Sequence, residues 1–201
     1  MFYFLKPLPE STMDFTGWQP FIKNAWFRKN FMVFVYGLQA VLVVASVLLG
    51  VWEFTSLLVK IAVFCIVYVC HELFHIVVVY RIGDLSLTHS GIFFWLNSDA
   101  VMSKARFWTF MTLPFLCLTV VPAVLLPVTD GFLFGLLRYI AWVNAIIAGS
   151  DILNSVLILL KPNGAKFCRG YYKAERRQLH GKAAITYIDR ADCGGKDNSV
   201  H

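Results

Sequence analysis

The residues with the clearest chemical potential are His71-Glu72-Leu73-Phe74-His75, an HExxH pattern inside an apolar run. On a helix, residues four apart lie about 40° apart around the axis and about 6 Å along it. Both imidazoles can therefore reach one metal ion. Glu72 projects from a neighbouring face, where it can act as general base on a water activated by that metal. With 5 His in 201 residues, about 0.002 such patterns would arise by accident. The setting adds weight, because Ile61–Tyr80 is long enough to cross a bilayer. Ionisable groups at membrane depth are costly and mark functional positions.

Composition identifies the elements that must carry this motif. The chain is 58% hydrophobic and 15% charged, well below the roughly 25% charge of soluble domains, so it reads as an integral membrane protein. Its net charge of +6 does not indicate nucleic acid, because the basic residues cluster at the ends of apolar segments, as membrane orientation requires. The five cysteines, at 65, 70, 117, 168 and 193, have no CxxC spacing and read as reduced thiols that are not ligands. The N-terminus lacks the pattern of a cleavable signal peptide.

Taken in order, the expected architecture is an all-α polytopic membrane protein of about four transmembrane helices. Residues 1–30 mix Lys6, Lys23, Arg28 and Lys29 with Trp18, Phe21, Trp26 and Phe27, a combination suited to the cytoplasmic membrane interface. Residues 31–160 form the membrane domain, with spans expected at Phe31–Leu49, Ile61–Tyr80, Phe107–Leu126 and within Gly131–Leu160. The last stretch exceeds a bilayer, so it is expected to be tilted, interrupted or to begin after Arg138. Between the second and third spans, Leu85–Arg106 reads as a short hairpin or re-entrant loop around His89-Ser90-Gly91. Residues 161–201 form a basic tail whose end, Asp192–His201, has a disordered composition.

Charge sets the direction. Of 18 Lys and Arg, 16 fall in the N-terminal segment, the second loop and the tail, while Lys60 lies in the first loop and Arg138 inside the fourth span. Both termini are thus expected in the cytoplasm, and the second and fourth spans run inward.

A catalytic zinc site needs a third protein ligand. His71 lies ten residues before Arg81 and Asp151 ten before Lys161, which places both about 15 Å from the cytoplasmic helix ends. Asp151 is a lone acid in its apolar run and is the first candidate; His89, lifted by a re-entrant loop, is the alternative. Asn154, one turn after Asp151, and Asn144, two turns before it, are candidates for orienting a ligand, binding substrate backbone or pairing helices. Asn154 shares the Asp151 face and has the better claim.

HELFH in a second span and GSDILN in a fourth resemble the zincin peptidase family of small prokaryotic membrane proteins, first described as a domain of unknown function. More distantly they are similar to site-2 protease-type intramembrane metalloproteases. The resemblance implies one zinc ion per chain held by His71, His75 and Asp151, with Glu72 as catalytic base. It also implies a membrane protein or peptide as substrate, within the bilayer of a prokaryotic cell membrane. The chain departs from the larger class in having Ile152 after Asp151 and no proline between Asn144 and Asp151. Competing readings from other classes are a metal-stabilised scaffold without activity, a metal transporter and a partner-binding adaptor. Glu72→Gln separates a protease from a scaffold.

Overall fold

A computed structural model describes residues 2–4, 6, 8, 9, 13–90 and 93–174, with the side chains of 2–4, 89, 90 and 93–96 outside the description. The chain is mostly helical. Its first helix, α1 (Ala25–Leu48), starts where Asn24 accepts from the Phe27 amide at 2.9 Å, a side-chain cap for one of the unpaired first-turn donors. Helix α1 thus begins six residues before the apolar run, carrying Arg28 and Lys29 within its first turns. Gly50, left-handed at φ 64°, turns the chain into α2 (Leu57–Val79), which carries the HExxH motif.

The expected hairpin is present. Strands β3 (Leu85–Ser90) and β4 (Phe93–Ser98) pair antiparallel, and β1 (Phe2–Phe4) adds to β3 in parallel. The third span begins with α3 (Lys104–Phe115), capped by Ser103, then widens into a π-helical turn at Leu116–Val120 before α4 (Val121–Leu125). Proline makes this irregularity intelligible: Pro114 and Pro122 each lack an amide donor, and the hydrogen-bond register shifts between them. The fourth stretch is interrupted. Helix α5 (Gly131–Ile147) and helix α6 (Gly149–Leu159) meet at Ala148 with a bend of 63°.

Among the described residues, three helical stretches are long and apolar enough to cross a membrane, and the bent pair is a fourth if it is counted as one span. Large apolar side chains such as Leu48, Leu58 and Val128 are exposed on their outer surfaces, as lipid rather than water would favour. These features mark an integral membrane protein.

A second sheet was not foreseen in an all-α reading. Strands β2 (Gln19–Pro20), β5 (Met102–Ser103), β6 (Ala165–Cys168) and β7 (Tyr171–Ala174) form it in the order β2-β7-β6-β5. It ties the N-terminal segment, the second loop and the start of the tail into one layer. Phe21, Phe107, Phe167 and Tyr172 pack beneath it with Ile158 from α6. Lys161 donates to the Phe21 carbonyl and lies over the Phe21 and Tyr172 rings; burial there pulls its ammonium below the ordinary lysine value. Lys104 closes the opposite corner, donating to the carbonyls of Leu159 and Lys161. The disordered end expected at Asp192–His201, and Cys193 with it, lie outside the described residues. Cys65, Cys70, Cys117 and Cys168 are free thiols.

Candidate metal centre

Helix α2 places His71 and His75 one turn apart, both buried. The bend at Ala148 brings Asp151 to meet them. It also makes Asp151 a first-turn residue of α6, so the positive end of that helix dipole faces the carboxylate. A buried acid in an apolar bundle needs such compensation. His71 lies eight residues before the end of α2, and Asp151 eight before the end of α6. His71 and Asp151, expected at matching depth, meet in space.

The ligand atoms form a nearly equilateral triangle. His71 Nε2 lies 3.1 Å and His75 Nε2 3.2 Å from Asp151 Oδ2, and the two nitrogens are 3.2 Å apart. Four ligands at zinc bond lengths stand about 3.3 Å from one another in a tetrahedron. The observed triangle matches one face of it.

The protonation pattern supports the same fit. His75 Nδ1 lies 2.7 Å from the Phe110 carbonyl, which can only accept, so Nδ1 carries the hydrogen. His71 Nδ1 lies 2.9 Å from Asn144 Oδ1. The Asn144 amide is oriented by its other end, because Nδ2 donates to the Pro114 carbonyl at 3.2 Å and to Thr119 Oγ1 at 2.9 Å. Thr119 Oγ1 in turn donates to the Ala141 carbonyl at 3.2 Å. Both imidazoles therefore use Nδ1–H outward and direct Nε2 lone pairs inward, toward a carboxylate oxygen. Three mutually close acceptors call for a shared cation, and the donor set suits zinc.

Glu72, half-buried, lines the same chamber of about 520 Å³, together with Gln39, Tyr68, Ser150 and Asn154. Helix α1 packs on α5 and α6, while α2 packs on α3 and α5. The chamber lies between α1 and α2, where Val43 and Phe64 are 40% and 44% exposed in its wall. Residues 64–166, just over half of the 201, match the family model of the putative zincin peptidases. The chain belongs to that family. The matched segment of this zincin peptidase family member runs from within α2 to β6 and includes His71, Glu72, His75, Asn144, Asp151 and Asn154. Helix α1, which contributes Gln39 to the chamber, lies before it. No curated protein and no solved structure matches the chain.

The structure brings His71, His75 and Asp151 together as a buried group able to hold a metal. It separates the two asparagines in an unexpected way. Asn144, expected mainly to pair helices, is buried and orients His71. Asn154, the favoured candidate, is half-buried in the chamber wall. The backbone of His89 pairs with Phe94 within the hairpin, and its side chain lies outside the described residues. Sequence reasoning missed Thr119 and the Pro114 carbonyl; the proline pattern was the available signal. It also missed Gln39, which donates to the Ile146 carbonyl at 3.0 Å beside the α5–α6 bend. Gly149 permits that approach, since a Cβ there would stand 2.9 Å from Gln39 Cγ.

Proposed function

We propose that this chain is a zinc-dependent intramembrane metalloprotease that hydrolyses peptide bonds of membrane-associated substrates, with both termini in the cytoplasm of a prokaryotic cell. One observation carries the reading: a tetrahedral-face triangle of His71, His75 and Asp151 shares a chamber between membrane helices with Glu72. His71 and His75 would hold the zinc through Nε2 and Asp151 through Oδ2, leaving a position open to solvent or substrate. Zinc, when bound there, supplies Lewis acidity, which acidifies a water molecule and polarises a carbonyl.

The chain's own residues do the rest. Asn144 Oδ1 and the Phe110 carbonyl hold the Nδ1 protons of His71 and His75, fixing the ring planes and keeping Nε2 unprotonated. The carboxylate of Glu72 accepts a proton from the attacking water and delivers it to the leaving amine nitrogen. The chamber's position supports a membrane substrate. His71 lies eight residues from the end of α2, or about 12 Å inside it, and the apolar wall between α1 and α2 faces lipid. A transmembrane substrate must unwind locally before its carbonyl can be attacked.

A transporter would need successive polar sites along a path. Among the described residues, His71, His75 and Asp151 are the group with ligand spacing. The test uses purified protein in detergent with fluorescein-labelled casein as an unfolded substrate. Wild type should cleave it in a zinc-dependent manner, and Glu72→Gln should retain zinc while losing at least about 100-fold in rate. Zinc retention with no cleavage by either protein would leave a metal-stabilised scaffold as the better account, and cleavage by Glu72→Gln at the wild-type rate would refute Glu72 as the base.

A further inference from the structure

A second cavity of about 510 Å³ adjoins the metal chamber toward the C-terminal end of α6, the cytoplasmic side in the proposed orientation. Its walls come from both sheets and from α3, including Thr88 and Asn97 of the hairpin and Phe167 and Tyr171 of the second sheet. The two cavities adjoin. Phe110, Met111 and Asn154 line both.

That junction has a chemical character. Phe110 offers its carbonyl to His75 Nδ1 at 2.7 Å, and its ring centroid stands 4.6 Å from the His75 ring. The partition between the cavities is therefore one residue thick at a metal-ligating imidazole. Asn154 stands one turn beyond Asp151 on α6, toward the cytoplasm. Its amide carries donors and an acceptor where the two cavities share their lining. Half-buried in that shared wall, the amide is placed to bond a chain that passes from one cavity to the other.

The cavity's shape and lining suit a particular occupant. A volume of this size is that of a binding site rather than a packing defect. Apolar and aromatic walls fit the alternate side chains of an extended chain, while the polar groups of the hairpin wall hold one another, Asn97 Nδ2 donating to Thr88 Oγ1 at 3.0 Å and Ser98 Oγ accepting from the Ala100 amide at 3.1 Å. Arg169 is the charged residue among the described lining, and it is balanced by Asp99 Oδ2 at 4.0 Å. Three residues of extended chain cover about 10 Å.

Building on the protease reading, we propose that this cavity is the subsite for the extended, cytoplasm-facing part of a peptide substrate, with Asn154 hydrogen-bonding the substrate backbone at the junction. Membrane helix enters from the lipid side, and its unwound continuation runs past Phe110 and Met111 into the cavity. Asn154 is a positioning residue in this scheme. It holds the chain so that the scissile carbonyl stays at the metal.

The test compares two zinc-binding probes on zinc-loaded Glu72→Gln protein by calorimetry. Acetohydroxamate occupies the metal alone, whereas acetyl-Leu-Phe-Leu-hydroxamate also carries an extended stub. The peptide should bind at least about tenfold tighter. Asn154→Ala should remove about three- to tenfold of that advantage, the range of one lost hydrogen bond. Thr88→Trp, which fills the cavity from its sheet wall, should remove most of it. Acetohydroxamate affinity should be unchanged in both variants, which shows an intact metal chamber. If acetohydroxamate binds but the peptide gains nothing, the subsite is overturned while the metal reading stands. A peptide advantage that survives both variants places the chain elsewhere and also overturns it. If neither probe binds zinc-loaded protein, the protease reading falls and the subsite with it.

Discussion

Replacing Asn144 tests whether the buried polar chain from α3 to α2 exists to set the metal ligand. In the wild type, Pro114 O and Thr119 Oγ1 fix the Asn144 amide, and Oδ1 then accepts from His71 Nδ1 at 2.9 Å. Asn144→Ala removes the acceptor. His71 is then free to rotate or to exchange tautomers, and loss of such an outer partner weakens metal binding by about 10- to 100-fold, or about 1.4–2.7 kcal/mol. The same substitution leaves the Pro114 carbonyl without this donor in a dry bundle, with a separate stability loss of about 1–3 kcal/mol. Asn144→Asp separates the two effects, because a carboxylate still accepts from Nδ1–H but cannot donate to Pro114. Zinc affinity should stay within a few-fold of wild type in Asn144→Asp, while stability falls. Competition against a chromophoric chelator reads the affinity, and thermal unfolding in detergent without metal reads the stability. Zinc affinities for Asn144→Ala within twofold of wild type would refute the reasoning.

Two further substitutions probe the scaffold. A Cβ at Gly135 would stand 2.6 Å from the Phe54 Cβ, so Gly135→Ala should lower stability by about 1–3 kcal/mol through overpacking; an unchanged melting temperature would mean that α5 and the first loop can separate freely. Lys104 donates to carbonyls at the end of α6, and Lys104→Met should cost about 1–2 kcal/mol, measured by thermal unfolding. A neutral result would show that solvent replaces this contact fully.

Much of the site was legible because membrane helices restrict where a residue can be. HExxH put two candidate ligands on one face, and charge placement gave an expected direction for each span. Depth then selected Asp151 without knowledge of any side-chain contact. What depth cannot supply is rotation about a helix axis. Asn144 and Asn154 lie on the same fourth stretch, and only the 63° bend at Ala148 decides which one faces His71. Thr119 was hidden for a similar reason, since its role depends on the π-helical turn that rotates Leu116–Val120. The second sheet left little trace because β2 and β5 are two residues each, too short for alternation to show. Length alone showed that the fourth stretch exceeds one straight span, but not whether tilt, interruption or a start after Arg138 resolves it.

Metal content is the most direct test of the central claim. Wild type, Glu72→Gln, His71→Ala and Asp151→Ala are purified in detergent, equilibrated with zinc, freed of excess and measured by elemental mass spectrometry. The account predicts one zinc per chain in wild type and Glu72→Gln, and none in His71→Ala or Asp151→Ala. Retention of a full zinc equivalent by Asp151→Ala, or its loss from Glu72→Gln with the fold intact, would contradict it.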